Sequence, residues 1–205
     1  MPKNETLLDL YPHPFSAGYW RAAARELKDL RKLTFAALMI AMCIVLAQIP
    51  SIHLPGETRV SWGFLARSTC AWVCGPVLGV IFALAEDTLS FVLTGGGGYP
   101  YFPGYTLTTV LGVLTYALFL YRAKPTVLRI ASAKLLTNVQ NVLLGTLWSS
   151  ILSGKAWLVL APARAIKNTI MFPVQTVMLV LLFAAIAPVL ANMHLIPVAA
   201  ARKKK

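Results

Sequence analysis

Polar side chains recur at helical spacing inside two apolar segments in the second half of the chain. They are Asn138, Asn141 and Trp148 in the first segment, and Arg164, Lys167 and Asn168 in the second. Residues three and four positions apart share one face of an α-helix. Polar and ionisable groups within apolar spans are costly and usually face a bundle interior or a cavity. The spacing therefore predicts a cavity that offers carboxamides and cations.

A glycine-rich and aromatic stretch, residues 95–108, supplies rings near the same end of the bundle. Backbone of this kind cannot lie in lipid, because its N–H and C=O groups would lack partners. Rings stack on flat heterocycles, amides or the carboxylate of Asp87 pair with a donor/acceptor edge, and cations hold carboxylates. The set predicts a flat heteroaromatic ligand with an anionic tail. The candidate aromatic residues are Trp62, Tyr99, Tyr101, Phe102, Tyr105 and Trp148.

Each feature also has an ordinary structural explanation. The asparagines can hydrogen-bond neighbouring helices, and the aromatic residues can form an interfacial belt. Arg164 and Lys167 can extend to lipid head groups. The adjacent Glu86 and Asp87 can be solvated charges at a helix end. Arg67, within an apolar segment, can be a cavity cation or reach the internal edge of the membrane.

The composition is that of a polytopic membrane protein. The chain has 205 residues, of which 58% are hydrophobic and 13% charged, with mean hydropathy +0.68. Soluble domains are about 25% charged, and a membrane span needs about 20 apolar residues. We therefore predict an all-α membrane protein with six transmembrane helices, at about residues 30–49, 60–73, 76–93, 106–121, 127–152 and 163–190.

The basic residues predict the orientation in the membrane. The net charge is +12, and the cations cluster beside apolar spans, which favours membrane topology and contact with anionic lipid over nucleic acid. With six spans, fourteen of the 19 lysines and arginines, Lys134 included, fall on the side of the N-terminus and four on the other. This predicts N-in and C-in, a cytoplasmic arm at 1–29, a transmembrane domain at 30–195 and a basic tail at 196–205. A basic helix at 19–32 is expected to run unbroken into the first span.

Metal, nucleotide and catalytic chemistry find little support in the sequence. Cys43, Cys70 and Cys74 lie in or near apolar segments without a second ligand pair, so we expect buried apolar residues rather than metal ligands. No Gly-Lys-Ser/Thr follows the glycine run, so it is not a phosphate loop. We predict no cofactor and no enzyme activity, and any energy source must come from another chain. Ala37 and Ala41, four residues apart, would let another helix approach closely.

Several motifs together resemble the substrate-binding S components of energy-coupling factor (ECF) vitamin transporters, and within them the folate-specific FolT family. The resemblance covers about residues 30–175, and its most specific motif is the one at residues 101–108. The pieces are Arg31-Lys-Leu-Thr-Phe-Ala-Ala-Leu38, Gly75-Pro-Val-Leu-Gly79 with Glu86-Asp87 following, Tyr101-Phe-Pro-Gly-Tyr-Thr-Leu-Thr108, Leu147-Trp148, Gly154-Lys155 and Ala163-Arg-Ala-Ile-Lys-Asn168.

The resemblance implies the S-component fold in the cell membrane, with a high-affinity folate site open to the outside. It implies a complex with a transmembrane T component, met by Ala37 and Ala41, and two cytoplasmic ATPase subunits. Transport would follow toppling of the S component, driven by ATP hydrolysis in the partners. The pocket candidates carried over by motif are Phe102, Tyr105, Trp148, Arg164, Lys167 and Asn168.

Alternatives remain open at the level of the sequence. Gly145-Thr-Leu-Trp148 lacks an asparagine that often precedes this motif in the family, and Gln175 stands where an acidic residue is common. Another vitamin or heterocycle is therefore the second candidate ligand. Other classes are an intramembrane enzyme using Glu86, Asp87 and His53 as acid and base, and a small channel or partner subunit.

Overall fold

The chain folds into long helices with one short β-hairpin. The computed structural model describes residues 14, 16–48, 52–54, 58–60, 62–94 and 101–197, without the side chains of 52–54 and 58–60. The elements are α1 Ala17–Arg25, a 3₁₀ turn Glu26–Lys28, α2 Leu30–Gln48, β1 Ile52–Leu54, β2 Thr58–Val60, α3 Phe64–Thr94, α4 Pro103–Leu120, α5 Val127–Ser153 and α6 Trp157–Asn192.

Four of the described helices, α2, α3, α4 and α6, are long and apolar enough to span a membrane. The helix α5 is also long enough, with 27 residues, but the polar side chains that it buries in the bundle lower its mean hydropathy. Consecutive long helices pack against each other from α2 to α6. The all-helical membrane architecture predicted from composition is confirmed at this level.

The helix α3 changes direction at Gly75, which has φ 75° and ψ −173°. A side chain there would be strained, and a Cβ atom would lie 2.7 Å from the Tyr121 ring. Pro76 follows and lacks the N–H that would continue the helical hydrogen bonds. The predicted boundary between the second and third spans coincides with this kink.

The predicted continuous basic helix at 19–32 is wrong. A 3₁₀ turn follows α1, and Asp29 is extended with ψ 103°. The Asp29 carboxylate accepts a hydrogen bond from the backbone N–H of Arg31 at 3.0 Å. Asp29 therefore caps the start of α2, because the first N–H groups of a helix have no partner within it.

Two further boundaries differ from the sequence predictions. The segment between the first two predicted spans contains an antiparallel hairpin, in which Ile52 pairs with Val60. The segment between the fifth and sixth predicted spans is mostly helix, because α6 begins at Trp157 and includes Pro162. Membrane helices tolerate proline, since neighbouring groups satisfy the backbone it frees. Arg164 thus lies two turns inside α6 rather than at the helix N-terminus.

The core is built from buried residues of all five long helices, and the part of α3 before Gly75 contacts the second half of α6 there. Trp72 is 1% exposed, and its ring centroid lies 4.8 Å from that of Phe183. The cysteines are buried in this region as predicted, and all three are free thiols. The half of α6 that precedes the core contact lies against α5, where most of the candidate site residues are found.

Candidate functional site

The start of α4 presents two of the predicted aromatic residues. Phe102 is the extended N-cap and Pro103 opens the helix, where its missing N–H costs nothing. The backbone N–H of Tyr105 donates to the Phe102 carbonyl at 3.1 Å. The two rings lie edge to face with centroids 6.1 Å apart. The turn therefore fixes a pair of rings at the end of α4.

Trp148 of α5 completes this aromatic group. Its ring centroid lies 5.6 Å from that of Phe102, and its indole N–H donates to the Thr108 hydroxyl at 3.0 Å. Gly104 makes the close approach possible, because a Cβ there would lie 2.4 Å from the Phe102 ring and 2.6 Å from the Trp148 ring. The sequence prediction that Phe102, Tyr105 and Trp148 share one site is consistent with these contacts.

Arg164 of α6 joins the aromatic group through Ser149. Its guanidinium donates to the Ser149 hydroxyl at 2.6 Å, and the Tyr105 hydroxyl lies 2.8 Å from the same oxygen. A Cβ on Gly145 would lie 3.0 Å from the guanidinium, so the absence of a side chain there leaves room for Arg164. Helices α4, α5 and α6 thus meet at one polar point, which contains the predicted cation.

Asn168 and Asn138 continue the polar contacts deeper between α5 and α6. The Asn168 amide donates to the Arg164 carbonyl at 2.9 Å, and the Asn138 amide donates to the Asn168 carbonyl at 3.2 Å. Both asparagines line a cavity of about 300 Å³, whose other lining residues are apolar apart from Thr169. Arg164, Lys167 and Trp148 are not among its lining residues. The cavity therefore adjoins the cationic and aromatic groups rather than containing them.

Lys134 is a site candidate that sequence reasoning missed. Its side chain is 4% exposed, and its ammonium nitrogen lies 4.8 Å from the centre of the Phe64 ring. The ammonium is also close enough to repel Lys167, which in turn repels Arg164. At the level of the sequence Lys134 was counted only among the cations on the N-terminal side of the membrane. The available signal was its spacing, since Lys134 precedes Asn138 by one helical turn.

Five buried polar side-chain atoms have no hydrogen-bond partner among the described residues, and two of them belong to predicted site residues. These two are the indole N–H of Trp62 and the side-chain oxygen of Asn138; the others belong to Gln140, Thr146 and Thr176. Trp62 is two residues before Phe64, the ring beneath Lys134. Buried polar atoms in native proteins nearly always have a partner, so each exception requires an explanation. One donor and one acceptor are therefore available to a polar ligand.

Asp87 lies in a different set of contacts from the one predicted. Its carboxylate accepts hydrogen bonds from the hydroxyls of Thr106 at 2.5 Å and Thr109 at 3.5 Å. Tyr101 contacts the Thr106 hydroxyl at 2.6 Å. These contacts join α3 to α4, and none of them reaches Arg164 or Asn138. Asp87 is thus explained as a helix-to-helix link.

Glu86 and Arg67, which the sequence left without a place, form an ion pair. Two guanidinium nitrogens of Arg67 donate to the two carboxylate oxygens of Glu86, each at 2.9 Å. Glu86 is 1% exposed. Both carboxylate oxygens of Glu86 are therefore already engaged by Arg67.

The remaining predicted site residues differ in their position and in their exposure. Lys167 is half-buried on the face of α6 that carries Arg164, and Asn141 is exposed on α5. Tyr99 lies outside the described residues, as does the glycine run before it. Ala37 and Ala41 are both exposed on α2, whereas Ala36 faces the core.

Comparison with known proteins identifies the family. Residues 31–199 match the family described as "ECF transporter, substrate-specific component". The chain belongs to this family. Its members are substrate-binding subunits of membrane transporters and not enzymes, which confirms the predicted class and the membrane localisation.

Individual relatives of this S component carry a more specific description. It is 32% identical to the folate transporter FolT of Clostridium novyi (strain NT) over 154 residues, which are 75% of this chain and 88% of the relative. It is 27% identical to the folate transporter FolT of Leuconostoc mesenteroides, over 72% of this chain and 81% of that one. The fold is similar to the crystal structure of FolT bound with folic acid, with TM-score 0.66 and 27% identity over 73% of this chain and 90% of the other.

Proposed function

We propose that this S component binds folate at the junction of α4, α5 and α6 and delivers it inward as part of an ECF transporter. The main support is the meeting of Arg164, Tyr105 and Ser149 beside the packed, mutually tilted rings of Phe102 and Trp148. This junction combines a cation for a carboxylate with rings for a flat heterocycle. The similarity to folate transporters supports the same ligand.

The polar groups match the parts of a pteridine ligand that carries carboxylates. A pteridine edge offers amide-like donors and acceptors, which complement the unpartnered Trp62 N–H and Asn138 oxygen. The folate tail carries two carboxylates, and Arg164, Lys167 and Lys134 form a group of three cations in the same region. Ser149 now accepts the hydrogen bond that a ligand carboxylate would accept from Arg164. Charge-assisted hydrogen bonds of this kind are the stronger ones.

The proposed topology has six spans with both termini inside. The kink at Gly75 divides α3 into two arms, and at 1.5 Å per residue the second is about 28 Å long and the first about 16 Å. The second arm matches the hydrocarbon thickness, while the first is short and largely shielded by the core. With α2, α4, α5 and α6 these arms make six. The bias of lysine and arginine toward the N-terminal side supports the orientation.

The proposed partners are a T component and two cytoplasmic ATPase subunits. The exposed pair Ala37 and Ala41 lies on α2 beside exposed Leu33, Leu38 and Met42. Small residues at a spacing of four let two helix backbones approach closely within lipid. We propose that this face of α2 meets the T component. No nucleic acid or further cofactor is proposed.

Calorimetric titration of the purified protein with folate tests the ligand. We expect binding to wild-type protein, and Arg164→Gln should weaken it about 10- to 100-fold, corresponding to a charged hydrogen bond of about 1.5–3 kcal/mol. Lys155→Gln is the matched control, because Lys155 is an exposed cation in the turn between α5 and α6. Absence of binding by oxidised and reduced folates alike would overturn the ligand assignment. Equal losses in both variants would overturn the location of the site.

A further inference from the structure

The helix α1 is fixed against the end of the bundle by its buried face. Tyr19 is 0% exposed, its hydroxyl donates to the Ala117 carbonyl at 3.0 Å, and its ring lies edge-on to Tyr121 at 5.2 Å. Burial raises the pKa of the Tyr19 hydroxyl above its ordinary value, so it remains a neutral donor. Ala117 lies in the last turn of α4. The helix α1 therefore lies where α4 ends, and its orientation about its own axis is set.

A buried charge cluster attaches the segment after α1 to the same place. The Glu26 carboxylate is 2.6 Å from the Lys32 ammonium, 3.1 Å from the Arg122 guanidinium and 2.7 Å from the Tyr121 hydroxyl. All four side chains are buried. Since α2 begins as a membrane span at Leu30, this cluster lies at a membrane boundary. The face of α1 opposite Tyr19 is held at that boundary too.

The face of α1 opposite Tyr19 carries cations and large apolar side chains, and so does the turn that follows α1. Trp20 is 45% exposed, and the neighbouring Leu27 and Leu30 are also exposed. Within residues 16–48 no exposed carboxylate accompanies them, because Glu26 is buried and the half-buried Asp29 caps α2. The exposed cations in this set, which we call the basic face, are Arg21, Arg25, Lys28 and Arg31.

We infer that the basic face of α1 is a binding surface for the head groups of anionic phospholipids. A helix that lies in the membrane interface carries lysine and arginine with tryptophan or leucine on its exposed side. Tryptophan prefers the level of the head groups. Each cation near an anionic membrane surface contributes about 1 kcal/mol, so the four together select for negative lipid. The inference depends on the membrane location of the protein and is independent of the ligand.

Charge complementarity favours lipid over a partner protein as the occupant. The cores of protein interfaces are depleted in charged residues. Four exposed side chains of the same positive charge around one tryptophan instead suit a uniformly negative surface. The neighbouring α2 is long and apolar enough to span the membrane, so the basic face lies where a membrane span begins.

Fluorescence quenching in lipid nanodiscs tests the inference on the full-length protein. Two nanodisc samples would contain phosphatidylcholine and phosphatidylglycerol at equal mole fractions. In one sample the phosphatidylglycerol carries brominated acyl chains, and in the other the phosphatidylcholine carries them. The tryptophan fluorescence that is lost in the Trp20→Phe variant comes from Trp20 alone, so the difference between the two proteins gives the Trp20 signal. We expect brominated phosphatidylglycerol to quench this signal at least twofold more than brominated phosphatidylcholine. The triple variant Arg21→Gln, Arg25→Gln, Lys28→Gln should lose the difference.

A charge-matched control separates the basic face from bulk attraction. The variant Arg202→Gln, Lys203→Gln, Lys204→Gln removes the same number of cations elsewhere and should keep the preference. The neutralised side chains of α1 are exposed, so thermal unfolding should be unchanged. Equal quenching by the two lipids in wild-type protein would overturn the inference, as would an equal loss in both triple variants. Absence of quenching by either lipid would also overturn it, because Trp20 would then lie away from the membrane.

Discussion

Arg67 and Glu86 join the two arms of α3 through a pair of parallel hydrogen bonds. The residues lie on opposite sides of the kink at Gly75, and each N–H···O contact is 2.9 Å. The Glu86 side chain is 2% exposed and that of Arg67 is 33% exposed. The bidentate geometry fixes the angle between the arms as well as their separation. The pair is therefore a structural clamp.

Replacement of Glu86 by glutamine should destabilise the protein without creating a ligand-specific defect. Removing one partner of a buried pair costs about 3–5 kcal/mol, and partial exposure of Arg67 lowers the expected loss to about 1–3 kcal/mol. Thermal unfolding in detergent measures the change. The double variant Arg67→Gln, Glu86→Gln should lose less than the two single losses combined. A single variant as stable as wild type would contradict the clamp.

Gly104 should be essential for the aromatic group, while Gly112 on the same helix should not be. An alanine at Gly104 would bring a Cβ atom within 2.6 Å of both the Phe102 and Trp148 rings, whereas Gly112 has no atom within 4 Å. We expect Gly104→Ala to displace the rings and weaken folate binding at least tenfold. Gly112→Ala should bind as wild type does. Calorimetric titration of both variants provides the measurement, and equal affinities would exclude the proposed ring contact with ligand.

Gly75 and Gly154 both have positive φ angles, but only one is crowded. Gly75 has φ 75° and a Cβ there would lie 2.7 Å from the Tyr121 ring, whereas Gly154 has φ 66° in open space. The left-handed conformation alone costs about 1–2 kcal/mol for an L-residue. We expect Gly154→Ala to lower stability by about that amount and Gly75→Ala to lower it by distinctly more. The thermal unfolding temperatures of the two variants test this prediction. Equal decreases in unfolding temperature would mean that the kink can open away from Tyr121.

The sequence predicted most of the architecture because hydropathy and periodicity are local properties. The start of α2 at Leu30, the kink at Gly75 and the end of α5 near Ser153 all follow from short patterns of apolar, glycine and proline residues. The break at Asp29 was missed although the residue is a good N-cap, because the basic pattern continues through it. The N-terminal turns of α6 were missed because Pro162 was taken as a boundary. In a membrane helix proline is a weaker signal than in water.

The site was harder to predict because it depends on which helix faces meet. Helical spacing brought Arg164 and Asn168 together correctly, since they lie on one helix. It could not show that Ser149 links Arg164 to Tyr105, because that contact spans three helices. It also assigned Asp87 to the cavity, whereas threonine hydroxyls of α4 hold the carboxylate. Contacts between distant segments are set by packing angles that no local pattern contains.

Lys134 offers the sharpest test of the site, because stability and binding should change in opposite directions. A cation that is 4% exposed loses hydration, and its described neighbours are the Phe64 ring and the like charge of Lys167. An uncompensated buried charge destabilises the protein. We therefore expect Lys134→Met to raise the thermal unfolding temperature of the ligand-free protein. Met retains the length of the side chain and fills the same space.

Folate binding by Lys134→Met should nevertheless weaken about 10- to 100-fold, because the ligand loses a charged hydrogen-bond donor of about 1.5–3 kcal/mol. Lys124→Met is the control, since Lys124 is exposed beyond the end of α4 and should change neither quantity. If Lys134 served only to pack its ammonium on Phe64, the substitution would lower stability and leave the affinity of the folded protein unchanged. Unfolding curves and titrations on the same preparations separate the two roles.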